Sequence, residues 1–512
     1  MLPTTAGGSG FSVQLPDEAA MHRFMRDIAL ALRPGDLITL SGDLGAGKTT
    51  FARALIRHLG GDENIEVPSP TFTLIQTYEL DDFPIVHADL YRLGAASELA
   101  ELGFDDLPED ALVLLEWPDR AAGFLPADRL DIAFTISPQH GETFRNVRVT
   151  GYGTFAARAG RMAAIRNFLD ESGFGDAERL HLQGDASTRS YERLVLNGRS
   201  YILMNAPRQA DGPPVRDGKP YSAIAHLAED VSAFIAISKG LRAAGLSAPA
   251  IYFADNEQGL LILEDLGAER LVEGEPPKPI PERYEAAVDV LVALHSEPRP
   301  PALPVSPRVE YRIPRYDAEA FLIEIELLLD WYLPRMKATI SPEDRAAFLA
   351  LWRDALQPAL ESQATWVLRD FHSPNLLWLP EREGIARVGL LDFQDAVLGP
   401  AAYDLASLLQ DARVDSSEGL EITLLGHYAR MRREADPDFD TPAFVRLYAT
   451  VAAQRATKIL GIFARLDMRD GKPQYLRHMP RIFGYLQRSL AHPSLNSLRE
   501  WYAAHVPTVK AI

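Results

Sequence analysis

The sequence predicts an α/β chain made of two unlike parts, and three observations predict it. From 36 to 150, short apolar runs alternate with helical stretches, the pattern of a sheet flanked by helices. Within that part, Gly42-Asp-Leu-Gly-Ala-Gly-Lys48-Thr49 stands between an expected strand and an expected helix. Farther on, a strand-rich stretch over about 178–265 precedes a mainly helical remainder, in which Asp370, Asn375 and Asp392 stand at a telling spacing.

Size and charge bound the reading. A chain of 512 residues exceeds one ordinary core, and roughly two to four units are expected. No apolar run reaches the roughly 18 residues of a membrane span. The opening MLPTTAGGSGFSVQL lacks a basic stretch followed by an apolar core, so no secretory signal, no membrane partner and a cytoplasmic location are expected. The absence of cysteine excludes disulfides, thiolate metal sites and a cysteine nucleophile. Net charge is −19, and residues 1–155, with 11 basic and 23 acidic side chains, contribute −12 of it. Such a surface repels phosphate backbones, so strong direct binding to nucleic acid is not expected of this part, and a basic protein partner is.

In chain order, LITLSG (37–42), FPIVHADL (83–90) and ALVLLEW (111–117) read as buried strands. RLDIAFTI (129–136) and FRNVRVTG (144–151) read as later strands, with antiparallel pairing open to them. The first domain is expected over 1–152. GYGTFAARAG (151–160) reads as a linker, centred on 153–160, and the helix RMAAIRNFLDESGF opens a second domain over 161–512. Pro-rich punctuation marks loops at 207–220, 276–281 and 298–307.

The segment from Gly42 to Thr49 matches GxxxxGK[ST] at every fixed position, after the strand LITLS and before the helix TTFARALIRHLGG. Glycines let backbone N–H groups turn inward around phosphates at a helix N-terminus. Asp43, Leu44, Gly45, Ala46, Gly47, Lys48, Thr49 and Thr50 are therefore expected to bind nucleotide. Lys48 would reach the β- and γ-phosphates and the Thr49 hydroxyl would reach Mg²⁺. Asp89 and Glu116 end two expected strands and are candidates for the second acidic group such a loop needs.

Residues 11–150 resemble the ATPase subunit (TsaE) of the bacterial tRNA threonylcarbamoyladenosine-synthesis complex. GDLGAGKTT (42–50), VPSPTFTLIQTY (67–78), HADLYRL (87–93), ELGFDD (101–106) and LLEWPDR (114–120) carry the resemblance. It implies a P-loop NTPase fold with Thr49 and Glu116 as Mg²⁺ ligands and Asp89 as a catalytic or switch acid. It also implies a nucleotide-sensing loop at 69–73, Trp117 beside the nucleotide, and partner subunits (TsaD/TsaB type) that carry out threonylcarbamoyl transfer.

In the second part, VLRDFHSPNLL (367–377) has the D-x-x-x-x-N spacing of kinase catalytic loops, and Asp392 of LLDFQ (390–394) follows 17 residues beyond Asn375 in the place of Asp-Phe-Gly. Asp370 would accept the proton of an attacking hydroxyl, and Asn375 with Asp392 would hold Mg²⁺ against ATP phosphates.

This part, over roughly 161–505, resembles the aminoglycoside-phosphotransferase-like kinases, and among them the N-acetylmuramate/N-acetylglucosamine kinases (AmgK type). GDASTRSYERL (184–194), YILMNAP (201–207), LLILEDLG (260–267), LRDFHSPNLLWL (368–379), GLLDFQDAVLGPAAYDLASLL (389–409) and RATKILGIFARL (455–466) carry it. The resemblance implies a two-lobed protein-kinase-like fold that phosphorylates the anomeric hydroxyl of an amino sugar. It implies a loop over ATP at 184–191, with Gly184, Ser187 and Arg189, an adenine hinge at Glu264 and Leu266, and Asp404 supporting the catalytic loop. Three positions depart from the wider pattern: Met204 for the usual strand lysine, Leu368 for the leading histidine, and Arg369 beside it. Arg189 or Arg193 could restore the missing charge.

The stretch 311–337 reads as helix, its Phe321, Ile325, Leu328 and Tyr332 spaced as a core stripe, with Tyr316, Glu324 and Trp331 as candidates for sugar contact. His87, His295 and His372 show no metal-ligand spacing and read as structural. Two alternatives stay open. The second part could be a nucleotide- or partner-binding module, or act on another small hydroxyl substrate, and the first could be a stand-alone small-molecule kinase.

Overall fold

The strands that carry the first site lie side by side. In the computed structural model, which describes residues 8–70, 73–93, 107–121, 123–182, 189–208 and 212–508, β2 (Leu37–Ser41), β4 (Ile85–Asp89) and β5 (Leu112–Glu116) run parallel at the middle of a seven-stranded sheet. Their apolar runs are buried as expected of parallel strands, with Ile38, Leu40, Ile85 and Leu112 fully buried. β6 (Arg129–Ile136) pairs with β2 in parallel, and β7 (Arg145–Tyr152) is antiparallel to β6. Two strands escape the sequence reading: β1 (Ser9–Leu15), antiparallel to β7, and β3 (Ile75–Tyr78), antiparallel to β4. The order is β1-β7-β6-β2-β5-β4-β3.

Helix α1 (Glu18–Ala29) starts on Asp17, whose carboxylate accepts from Ala20 N at 2.8 Å. Helix α2 (Lys48–Gly60) packs Phe51 against Phe24 of α1, ring centroids 5.6 Å apart, and stops at Gly61 in the left-handed conformation.

The expected linker is helix instead. Residues 155–160 open a continuous helix α3 (Phe155–Glu171). Its Phe155 and Ala159 belong to the same buried cluster as Phe24, Phe51 and Val149, and Arg158 pairs with Asp36 at 2.6 Å. Small residues in GYGTFAARAG suggested a flexible tether; they serve close packing, since a Cβ on Gly151 would come within 2.5 Å of the Phe155 carbonyl. The chain divides into compact units at Met1–Met204 and Asn205–Ile512, not at the expected boundary over 152–161.

The first unit therefore also contains β8 (Glu178–Leu182), paired antiparallel with β9 (Ser190–Leu196). A chain of charges ties these strands to α1. Asp27 meets Arg166 at 2.9 Å and Arg179 at 2.6 Å, and Arg179 reaches Glu192 at 2.7 Å. Burial alone would lower the Arg179 guanidinium, but Asp27 and Glu192 hold it above its ordinary range. Asp27→Ala leaves two arginines short of a partner and is expected to lower stability by about 3–5 kcal/mol. Adding Arg179→Met should recover part of the loss. Denaturant midpoints of the two variants check this, and an unchanged midpoint for Asp27→Ala contradicts it.

The second unit begins its regular structure with a short hairpin, Pro214–Arg216 with Lys219–Pro220, and the helical turn Tyr221–Ile224, followed by helix Val231–Ala243 and the hairpin Ile251–Asp255 with Leu260–Glu264. Helices then dominate, around the 28-residue helix Thr441–Met468. Gly461 lets that helix approach Leu327, whose backbone lies 2.3 Å from where a Cβ would stand. The helical part is interrupted between 364 and 400 by paired strands, Ala364–Val367 with Val397–Pro400 and Leu376–Trp378 with Val388–Leu390. The helix expected over 311–337 is shorter: Tyr311 lies in strand Val309–Arg312, the helix runs Ala318–Leu327, and it widens into a π-turn at Leu328–Tyr332. Among the described residues no helix is long and apolar enough to cross a membrane.

Candidate functional sites

The first site lies beyond the carboxyl ends of β2, β4 and β5, where open parallel sheets bind ligands. A cavity of about 280 Å³ there is lined by residues including Gly45, Gly47, Lys48, Thr49, Asp89, Glu116 and Trp117. Ala46 and Asp43 belong to its wall rather than its lining. Ala46 is fully buried, and the Asp43 carbonyl accepts from Lys48 Nζ at 3.0 Å, as Gly42 O does at 2.9 Å. Thr50, Leu44, Ser69, Tyr91 and Arg92 complete the lining.

Sheet register brings the acids together, since Asp89 pairs with Glu116 across β4 and β5. Glu116 Oε2 accepts from the Thr49 hydroxyl at 3.0 Å, and its Oε1 meets His87 Nε2 at 3.0 Å. Asp89 accepts from Ser69 Oγ at 3.3 Å and from Tyr91 N at 3.0 Å. Burial pulls the Lys48 ammonium below its ordinary value, against the opposing pull of Glu116, Asp89 and Asp43. Its Nζ lies 3.9 Å from the centre of the Trp117 ring. Trp117 holds a left-handed backbone, φ +59°, costly for an aromatic residue and a mark of functional sites.

Two further residues support this set: His87, which reads as structural in the sequence, and Arg145, which carries no sequence signal. His87 is fully buried and fixes one oxygen of Glu116, leaving the other to Thr49. Arg145 of β7 donates to Ala46 O at 2.9 Å and Gly45 O at 3.2 Å, bracing the loop from behind. Gly184 and Ser187, residues 71–72 of the 69–73 loop, and ELGFDD (101–106) lie outside the described residues.

The second constellation lies in the second unit. The pair Leu376–Leu390 closes the hairpin beside which Asn375 and Asp392 meet, Nδ2 to Oδ2 at 3.4 Å. Asn375 Nδ2 also donates to Asp370 O at 3.0 Å, and Gln394 steadies Asp392 Oδ1 at 2.7 Å. Buried Asp404 accepts from Leu368 N at 2.6 Å and Arg369 N at 2.9 Å, which pins the turn before Asp370. Burial pushes Asp404 up to about 7 despite these bonds. Arg369 and Asp392 take left-handed φ values of +68° and +56°. Burial alone would raise the Asp370 carboxyl, but His372, Arg455, Lys458 and Arg369 outweigh it and hold it below the usual carboxylate range. Arg455 also donates to Arg369 O at 3.0 Å.

Neither of the pairs expected to hold Mg²⁺ is a complete cage, and among the described residues no cluster of three or more His or carboxylate ligands occurs. Two protein oxygens suit Mg²⁺, which takes its remaining ligands from phosphate and water.

Glu264 Oε2 accepts from Ala250 N at 3.0 Å and Arg242 at 3.3 Å, and its other oxygen meets Arg382, so the side chain is held by protein. Leu266 packs with Leu377 and Leu379. Met204 is only 1% exposed and sits in core. Arg189 and Arg193 are half-buried. Phe321, Ile325, Leu328 and Tyr332 are buried, in keeping with a core stripe.

Glu324 of that helix is fully buried as well, and it is charged. Lys458 Nζ donates to it at 2.7 Å and Gln454 at 3.1 Å, and Arg369 and the Tyr316 hydroxyl also bond it. Burial would raise its carboxyl, but Lys458 and Arg369 hold it at about 2. A depressed folded value means that this stability is present above the ordinary value of 4.5 and is lost as pH falls toward about 2. Glu324→Gln is expected to cost about 3–5 kcal/mol at pH 7 and to flatten the acid limb of stability. Urea melts across pH check this, and parallel curves for the two proteins contradict it.

Comparison with known proteins places both halves. Residues 15–145 match the family described as threonylcarbamoyl adenosine biosynthesis protein TsaE, and residues 179–448 match the phosphotransferase enzyme family. The N-acetylmuramate/N-acetylglucosamine kinase of Caulobacter vibrioides is 42% identical over 364 residues, 68% of this chain and 97% of the relative. The TsaE protein of Rickettsia conorii is 34% identical over 173 residues, 34% of this chain and 94% of the relative. The chain belongs to both families. Among solved structures, Plasmodium vivax ethanolamine kinase aligns over 67% of this chain and 90% of its own, at 13% identity and a TM-score of 0.44. The TsaE family match ends before α3 and the phosphotransferase family match begins after it.

Proposed function

We propose that the chain carries two ATP-dependent activities: ATP hydrolysis in support of threonylcarbamoyl modification of tRNA adenosine, and phosphorylation of the anomeric hydroxyl of N-acetylmuramate or N-acetylglucosamine. The grouping of Asp370, Asn375 and Asp392 carries the kinase reading, because a module that only bound ligand would need no base. In it the sugar hydroxyl oxygen attacks the γ-phosphorus, Asp370 takes its proton, the bond to the β-phosphate oxygen breaks, and ADP leaves. Asn375 and Asp392, and in the first unit Thr49 and Glu116, would hold Mg²⁺, which supplies positive charge against the phosphate oxygens. Lys48 grips the nucleotide phosphates and Asp89 orders the attacking water or signals nucleotide state. The acidic first part, net −12 over 1–155, leaves tRNA to partner subunits of the TsaD/TsaB type.

Transfer of labelled phosphate from ATP to N-acetylmuramic acid and N-acetylglucosamine tests the kinase. Buried Met204 in the usual lysine position favours one rival, a nucleotide-binding module, and ATP binding without transfer to any amino sugar would establish it. Co-purification with TsaD and TsaB subunits tests the other half, and failure with both rejects it.

A further inference from the structure

His372 reads from the sequence as structural, yet its ring stands between two charged side chains. Its Nε2 lies 3.3 Å from Arg413 Nη1, and its Nδ1 lies 4.0 Å from Asp370 Oδ1. The residue is buried, and among the described residues Nδ1 has no hydrogen-bond partner. Buried polar nitrogens are ordinarily paired, and this one faces the base. Both neighbours of the ring are themselves held, because buried Asp411 accepts from Ser373 N at 3.1 Å and from Arg413 N at 2.9 Å.

The chemistry of the partners places the proton. A guanidinium only donates, so Nε2 must accept, and the single proton of the ring sits on Nδ1, toward Asp370. Burial agrees: it pulls the His372 ring down to about 4, so the ring gains charge only in acid. Arg455 approaches the same oxygen, with Nη2 4.0 Å from Asp370 Oδ1 while Nη1 donates to Arg369 O at 3.0 Å. Two donors thus gather on Oδ1. Hydrogen bonds in a catalytic set are often long without substrate and tighten when it binds. We propose that His372 is a positioning residue for phosphate transfer. Arg413 fixes its tautomer, its Nδ1–H binds Asp370 Oδ1 in the substrate complex, and Oδ2 is left to take the sugar hydroxyl proton. This rests on the kinase reading above and adds to it which oxygen of the base reacts.

Two substitutions that each keep half of the ring's bonding test the role in the full chain. Asparagine sets an amide nitrogen near the place of Nδ1, and glutamine sets one near the place of Nε2. His372→Gln is expected to lower kcat for transfer to N-acetylglucosamine by about 10- to 100-fold, the scale of one hydrogen bond to a charged group. Its KM for ATP should stay within about twofold, which separates a misplaced base from a damaged site. His372→Asn should keep kcat within about threefold of wild type, since the donor toward Oδ1 survives. Arg413→Met should lower kcat by about three- to tenfold, and adding it to His372→Gln should cause no further loss, because Arg413 acts through the ring. Equal kcat in the two His372 variants, or losses that add in the double variant, overturns the role. Nitrogen-15 spectra of histidine-labelled chain read the tautomer without turnover, the His372 signal being the one missing from His372→Asn. A proton on Nδ1 at neutral pH is expected, and a proton on Nε2 instead overturns the proposal. A wild-type chain that transfers to no amino sugar defeats the kinase reading and this role with it, whereas equal variants of an active chain defeat this role alone.

Discussion

Asp370→Asn is expected to lower kcat for phosphate transfer to an amino sugar by about 10²–10⁴, the usual contribution of a positioned general base. Asparagine keeps the shape and the backbone bonds that Asn375 and Arg455 make around this turn, so fold and ATP affinity should survive. The KM for ATP should move little while kcat falls, which separates loss of a base from loss of the site. The same geometry sets the pH profile. Positive charge from His372, Arg455, Lys458 and Arg369 holds the Asp370 carboxyl low, so the base is ionised throughout the neutral range. The acid limb of kcat should therefore lie below the usual carboxylate range, and it should be absent from the residual rate of the variant. Steady-state kinetics across pH measure both, and a variant with wild-type kcat would remove Asp370 from the role of base.

Lys48→Ala is expected to lower ATP hydrolysis by the first unit about 10²–10³-fold, the scale on which one preorganised donor to developing charge is worth. Lys48 Nζ stands on the carbonyls of Gly42 and Asp43 at the mouth of the cavity, with Glu116 and Asp89 within electrostatic reach. Its burial makes the charge strong and its removal costly. Kinase turnover by the same variant should stay at the wild-type level, because the Asp370 constellation belongs to another unit of the chain. Assaying both activities in one preparation is decisive. Hydrolysis that persists would have to come from the kinase site, and a double variant with Asp370→Asn would reveal it.

Motif spacing made the chemistry legible and left its supports unread. GxxxxGK[ST] located the phosphate loop because the geometry is local to eight residues, and the strand carrying Glu116 was plain from its apolar run. His87 holds Glu116 from β4 and Arg145 holds that loop from β7, and their partners lie 29 and 99 residues away. No periodicity encodes such distances. Asp370, Asn375 and Asp392 were readable for the same local reason, whereas Glu324 reads from the sequence as a candidate for sugar contact and is instead fully buried. Its charge became intelligible only when Lys458, 134 residues later, was found against it. The edge strands β1 and β3 were missed because an edge needs little hydrophobic patterning: Ser9–Leu15 is mostly exposed or half-buried. The linker reading failed where composition was trusted over packing, since small residues serve a tight helix–sheet contact as readily as a tether.

That last point governs how the protein can be taken apart. A cut anywhere in 153–160 would fall at the start of helix α3 rather than in a tether. The severed C-terminal piece would open with the apolar face of Phe155 and Ala159 in water and with Arg179 deprived of Asp27. The severed N-terminal piece would lose the cover over β1 and β7. Loss of activity in either fragment would then report damaged folding, not dependence of one enzyme on the other. Proteases meet the same obstacle, because backbone wound in a packed helix must unwind before it enters a protease cleft. Dissection by point substitution in the intact chain, Lys48 for one activity and Asp370 for the other, keeps that helix whole.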